Sequence, residues 1–415
     1  MGAPSPPTSF RPVVGAGGTP AAHTVVTELD RRGFTGNVVW VGGDEGVAAY
    51  SKPALSKEFL QGKLARDRIS LPPPPTDHIR LRRLDRALCT RLDPEADRVL
   101  VDGTWIDFDA LFVCTGMRAR VPRPFAGLPG VHALRTFADA AAIRARLTGR
   151  PRTVVVGAGL IGSETAASLR TLGLPVELIA SGALPMEDIV GRQLGEFCLD
   201  QHTAHGVVTR ASTMVTALTC PSPGGPVTVE FDDGTGTRAD LVVLGLGAVT
   251  SCDWLRDAGL DTSDGLRCDA TLRTGRASVF AAGDIANWPH PVFGRRLRVE
   301  HWSNASAQAR HAVESWLADL EGRERPVFAD IPYFWSDQYG LKYQMAGHAR
   351  GHDEVSVATT GPGGRPFVTY FREGRLVAAA GVNATRAVMR TKALIQSPAT
   401  SSAASPSPHG MRETT

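Results

Sequence analysis

The sequence predicts an α/β protein built from two Rossmann-like units and a smaller α+β domain. Three observations carry this. Thr153 to Glu177 runs from an apolar strand pattern through Gly157-Ala158-Gly159-Leu160-Ile161-Gly162 into an Ala-rich helical pattern and a second apolar run. A less regular version of the same opening occupies residues 10–43. Beyond Pro326 the pattern changes to β-rich segments separated by polar turns. At 415 residues the chain is too long for one core and suits two or three domains.

Residues 1–9 are rich in Pro and Ser and are expected to be disordered. The first unit then reads as Val13-Val14, the turn Gly15-Ala16-Gly17-Gly18-Thr19-Pro20, a helix to about Arg32 and a strand over Asn37 to Val41. On this reading Gly15 and Gly17 stand where a nucleotide needs glycine, and Pro20 takes the third glycine's place. Its ring is expected to push the helix off the strand. Pro12 falls in the apolar run, where a central strand would lose a ladder hydrogen bond. Glu45, or Asp44, follows the second strand and is placed to hold a ribose hydroxyl.

Ala49 to Leu60 carries Lys52 and Lys57 around Pro53, with a helix start near Ser56, and by itself reads as a surface loop. From Asp102 a hairpin edge leads into the apolar strand Ala110 to Cys114, which ends at Thr115-Gly116, a small-residue turn where a ligand can touch backbone. In the Thr153 to Glu177 unit each glycine has a separate task. Gly157 permits the tight turn, Gly159 lets the backbone approach a pyrophosphate, and Gly162 lets helix lie close on strand. The bare spacing is weak evidence; strand and helix on its correct sides make it strong.

Residues 183–210 read as helical, and Val227 to Leu246 as two strands around Asp232-Asp233-Gly234. Ser278 to Asn287 is an apolar strand ending at Gly283-Asp284, a carboxylate at the end of a strand that faces the ligand crevice of an open sheet. An amphipathic helix over Glu300 to Val313 follows, with Trp302 near its start. The β-rich region is closed by a helix from Thr385 to Ile395, and a Ser/Pro/Ala-rich tail completes the chain.

Composition narrows the function. A net charge of +3 is too small for a nucleic-acid binder, whereas local arginine clusters suit a small acidic protein. No apolar run approaches membrane-spanning length and the first residues lack a signal-peptide layout, so a cytoplasmic location is expected. Six cysteines lie far apart with no CxxC, which argues against a redox disulfide, an iron–sulfur cluster or a metal site.

These segments together resemble the ferredoxin reductase branch of the FAD-dependent pyridine nucleotide oxidoreductases, the rubredoxin and putidaredoxin reductase type that serves bacterial P450s and Rieske oxygenases. AYSKPALSKEFL resembles the family's YDRPPLSKxxL, LFVCTGMRARVP its ATGxxPR, and VFAAGDIANWP its xxAAGDVAxxP. VEHWSNASAQAR resembles VExWxNAxxQA, and YFWSDQYGLKYQMAG resembles PYFWSDQYxxxxQxxG, so the likeness spans about residues 10–396.

The resemblance implies an FAD domain split between residues 10–118 and 248–325, an NAD(P) domain at 119–247, and a C-terminal domain at 326–396 that covers the flavin, with tails at 1–9 and 397–415. Gly15, Gly17, Glu45, Thr115, Gly116 and Gly283 would then meet FAD, Asp284 its ribityl chain, and Lys52 and Lys57 its isoalloxazine edge. A fixed positive charge there favours the anionic reduced ring. Trp302 and Trp335 would pack beside it. Gly157, Gly159 and Gly162 would hold NADH or NADPH, with Glu164 at the nicotinamide carboxamide. A structural role is the alternative for each.

The implied reaction is hydride transfer to flavin, then single electrons to an acidic [2Fe–2S] ferredoxin that docks transiently on Arg310, Lys342, Arg386 and Lys392. Two other readings stay open: the fold recruited to direct flavin chemistry on a small metabolite, and a non-redox binding protein. Besides Pro12 and Pro20, two departures from the family pattern stand out. Lys52 replaces an arginine. Ala180-Ser181 and Leu184 stand where the family has an acid and an arginine, so neither NADH nor NADPH is favoured.

Overall fold

The computed structural model describes residues 11–43, 49–222, 224–360 and 364–397. Two five-stranded parallel sheets form its centre. In the first the order is Val279–Ala281, Ala110–Val113, Val13–Ala16, Asn37–Val41 and Arg80–Leu84. In the second it is Val208–Arg210, Val176–Ile179, Thr153–Val156, Leu241–Leu244 and Val131–Ala133. The inner strands are buried on both faces, which is why they read as continuous apolar runs without alternation.

The chain leaves the first sheet through Met117–Ala119 and returns through Ala248–Thr250, and these two short strands pair antiparallel. A five-stranded antiparallel sheet follows, ordered Tyr333–Gln338, Leu341–Gly347, Arg375–Val382, Arg365–Arg372 and Glu354–Thr360. The helix Thr385–Gln396 seats Val388 against Ala346 of this sheet and against Ala384 at its own cap. The core under the first sheet continues into this domain through Phe334, Tyr343 and Tyr370. No described helix is long and apolar enough to cross a membrane.

Several expectations change. Pro12 precedes the strand, and its carbonyl accepts the Asp109 N–H, so no ladder bond is lost. Residues 183–210 hold two helices, Glu187–Val190 and Arg192–Ala204, and then the strand Val208–Arg210. Val227 to Leu246 holds three strands: Val227–Phe231 and Gly236–Ala239 join a separate antiparallel sheet, while Leu241–Leu244 enters the parallel one. The helix expected over Glu300 to Val313 runs Trp302–Leu320. The expectations for 1–9 and, apart from Ser397, for 397–415 concern residues outside those described.

Candidate active site

Both Rossmann turns are present, and comparing them corrects the reading of the first. Gly157 follows its strand with φ +102°, and its N–H reaches Ile179 O at the end of the neighbouring strand. A Cβ there would lie 2.4 Å from Gly245 O. Gly17 has the same surroundings: φ +130°, its N–H on Val41 O, and a Cβ that would lie 2.3 Å from Cys114 O. Gly17 therefore corresponds to Gly157. The helix cap two positions on is Gly159 in one unit and Thr19 in the other. The third position is Gly162 in one and Ala22 in the other.

Gly15 lies inside the strand, opposite Trp40 and Phe112, and takes no part in the turn. Pro20 is the first residue of the helix Pro20–Arg31, where its missing N–H breaks no helical bond, and it does not sit at the helix–strand crossing. Fully buried Ala22 sits there instead. In the second unit the approach is closer, since a Cβ on Gly162 would meet Gly157 O at 1.7 Å.

Between the two turns lies an open cleft. Lys52, Lys57, Gly116, Glu164, Gly283, Asp284, Trp302 and Trp335 all line it, so residues up to 283 positions apart in the chain meet at one cleft. Thr115 does not, because its hydroxyl donates to Ser251 O and ties the two crossing segments together. Glu45 lies outside the described residues. Gly157, Gly159 and Gly162 stand beside the cleft, and Leu160, Ile161 and Glu164 of the following helix enter it.

At its floor Lys57 Nζ sits 3.4 Å from Glu164 Oε1 and 3.2 Å from Asp337 Oδ2. Ser56 Oγ donates to Glu164 Oε2 at 2.5 Å. The Lys57 and Glu164 side chains are only 6% and 5% exposed, which makes theirs a buried pair. Burial by itself would lower the Lys57 pKa, but the carboxylates of Glu164 and Asp337 outweigh it and raise it. Burial raises the pKa of Glu164, and Lys57 and Ser56 offset this only in part. Lys57 therefore keeps its charge, and Glu164 is the member of the pair that takes up a proton first. Trp335 lies 5.8 Å from Lys57 Nζ, and Lys52 Nζ is 3.3 Å from Tyr50 Oη.

Two residues at the site were missed in the sequence. Arg135 donates to Asp284 Oδ2 at 2.6 Å, so the carboxylate at the strand end is held by an ion pair. The available signal was the capping box that follows: Thr136 and Asp139 close the start of the helix Phe137–Ala145 and so position Arg135. His301 packs against Phe334 with the rings tilted and their centroids 4.7 Å apart, and burial lowers its pKa to about 4, leaving it neutral near pH 7. Its Nδ1 is buried without a partner.

Of the basic residues, Arg310 and Arg386 are exposed. Lys342 lies 3.5 Å from Asp337, and Lys392, 18% exposed, is held 3.0 Å from Asp330. At the far end of the second unit Ala180 is buried, Ser181 is exposed, and Glu177 pairs with Arg210 within the sheet. All six cysteines are free thiols. No metal-binding cluster occurs among the described residues.

The description "Pyridine nucleotide-disulphide oxidoreductase" matches residues 12–309, and "Reductase C-terminal" matches 333–407. The chain belongs to the pyridine nucleotide-disulphide oxidoreductase family. It is 34% identical to rhodocoxin reductase of Rhodococcus erythropolis, over 92% of this chain and 88% of that one. It is also 34% identical to the ferredoxin–NAD(+) reductase component of the anthranilate 1,2-dioxygenase system of Burkholderia cepacia, over 92% and 93%. The reductase in the covalent putidaredoxin reductase–putidaredoxin complex superposes with a TM-score of 0.86 at 29% identity, covering 94% of each chain.

The residues of this oxidoreductase fit a flavin. The cleft runs from one helix start to the other. His301 Nδ1 offers an unsatisfied polar atom at its wall, and Lys57 offers a fixed charge. When bound, FAD supplies the exchange between two-electron and one-electron chemistry.

Proposed function

We propose that the chain is an NAD(P)H:ferredoxin reductase, taking a hydride from NADH or NADPH onto FAD and delivering single electrons to an acidic [2Fe–2S] ferredoxin that serves a P450 or Rieske oxygenase. The observation that carries this is the Lys57–Glu164–Asp337 cluster, which joins the first Rossmann unit, the helix after the second turn and the C-terminal sheet at one cleft. Glu164 sits at residue five of the helix Leu160–Thr171, where it can orient a nicotinamide whose pyrophosphate rests on Gly159. Lys57 stays charged and stabilises negative charge that develops at the flavin edge. Trp302 and Trp335 wall the cleft and exclude water from the transfer.

With six free cysteines there is no disulfide to take the electrons, so they leave by the protein surface. The names of the relatives, a rhodocoxin reductase and a ferredoxin–NAD(+) reductase component of a dioxygenase system, support the same reading. In it the flavin domain comprises 10–118 and 248–325, the coenzyme domain 119–247, and the covering domain 326–396. Arg310, Lys342 and Arg386 face the ferredoxin, with Lys392 in a lesser role, and the protein works in the cytoplasm. The test is anaerobic. FAD-loaded protein should bleach on addition of NADH or NADPH and then reduce a [2Fe–2S] ferredoxin. Bleaching without any ferredoxin reduction would overturn the proposal in favour of direct chemistry on a metabolite.

A further inference from the structure

The two Rossmann turns differ in what they leave free for a phosphate. A helix start binds phosphate through its first N–H groups and through backbone approach at the cap. In the second unit the cap is Gly159, no side chain caps the helix, and a Cβ at Gly159 would meet nothing within 4 Å. No side chain takes the N–H groups of Leu160, Ile161 or Gly162 as Thr19 takes that of Ala22.

The first unit has lost most of this. Its cap is Thr19, so a side chain stands where the second unit is open. The Thr19 hydroxyl points back into the protein, donating to Cys114 O at 2.8 Å and accepting the Ala22 N–H at 3.3 Å. The first helical residue is Pro20, which has no N–H. Of the three donors that open the helix, one is missing and one is taken, leaving Ala21. Thr19, Pro20 and Ala21 nonetheless line the same cleft as Lys57 and Asp284, so this is the end at which a flavin's diphosphate would lie.

We infer that this chain holds FAD as an exchangeable cofactor, with Thr19 and Pro20 limiting the grip on its pyrophosphate, so that the loaded fraction follows the free FAD concentration. The inference rests on the flavoprotein reading above and concerns the strength of one contact within it. Ring-side contacts at Lys57, Trp302 and Trp335 are unaffected, so binding is weakened but its geometry is kept.

The experiment is a titration of the full-length apoprotein with FAD, followed by quenching of flavin fluorescence, with retention after gel filtration as a second readout. Wild type should lose flavin on the column. Thr19→Gly opens the cap and frees the Ala22 N–H, and should lower the FAD dissociation constant about tenfold, the worth of one charge-assisted hydrogen bond. Thr19→Gly with Pro20→Ala should lower it about a hundredfold and retain flavin through the column. Thr19→Ser keeps the cap and should match wild type. A glycine cap costs the helix little, and Thr19→Ala serves as a second variant that also frees the Ala22 N–H. A wild type that keeps stoichiometric FAD through the column, or a Thr19→Gly protein with unchanged affinity, overturns this inference alone. Failure of wild type and variants alike to bind any FAD overturns the proposed function with it.

Discussion

Lys57→Met is the substitution that tests the buried cluster most directly. It removes the cation 3.4 Å from Glu164 and fills much the same volume with an apolar chain. Glu164, 5% exposed, then keeps a carboxylate supported by the Ser56 and Ser336 hydroxyls. Removing one partner of a buried pair costs about 3–5 kcal/mol. Glu164 has an escape, because burial already raises its pKa and the loss of Lys57 raises it further, so the cost saturates once the carboxyl takes a proton. A folded pKa above the unfolded one contributes stability that is complete below the unfolded value and is lost as pH rises through the folded value. The deficit of Lys57→Met should therefore be small near pH 5. It should then grow with pH by at most about 1.4 kcal/mol per unit until Glu164 is ionised. Urea unfolding of apoprotein at pH 5, 7 and 8.5 measures this. Lys57→Met/Glu164→Gln should recover most of the loss at pH 8.5. A deficit that does not change with pH, or no recovery in the double variant, would refute the assignment of Lys57 as the counter-charge of Glu164.

Other outcomes follow from neighbouring features. Because Ala180 stands at the strand end with no acid beside it, NADH and NADPH should be used with kcat/KM values within about tenfold of each other. Ala180→Glu should favour NADH by a further factor of about ten, measured as the ratio of the two coenzymes. His301 is buried and neutral with its pKa lowered to about 4, so it stabilises the fold above its unfolded pKa of about 6.5, and that contribution is lost as pH falls towards 4. His301→Phe should flatten the stability profile of apoprotein across that window, as read from urea midpoints. Arg310→Glu and Arg386→Glu should raise the KM for ferredoxin several-fold while leaving NADH-driven flavin reduction unchanged in stopped flow, and the effect should shrink with salt. Lys392→Ala should do less, because that lysine is already held by Asp330.

Much of the site could be read locally. Lys52, Lys57, Glu164, Asp284, Trp302 and Trp335 were each placed by a short motif, and the fold brings them to one cleft. What was missed lies between motifs. Arg135 and Asp284 are 149 positions apart, and nothing near either names the other. His301 sits within a recognised segment, but its chemical character comes from burial against Phe334.

The Rossmann turns separate the two kinds of information most clearly. At Gly157 and Gly162 the tight turn and the close crossing each exclude a side chain, and at Gly159 the cap stays open, all for reasons local to the strand, turn and helix, so the sequence alone determined that unit. At Gly15-Ala16-Gly17-Gly18-Thr19-Pro20 the glycines allow two registers. The choice depends on where the strand stops, and that is decided by Val41 and Cys114 on its two neighbouring strands, which hold Gly17 at the bend and leave Gly15 in the ladder. Local sequence could show that a nucleotide turn was there. Only the packed sheet decided that its cap is a threonine, because strand pairing is a long-range interaction that the residues of the turn do not encode.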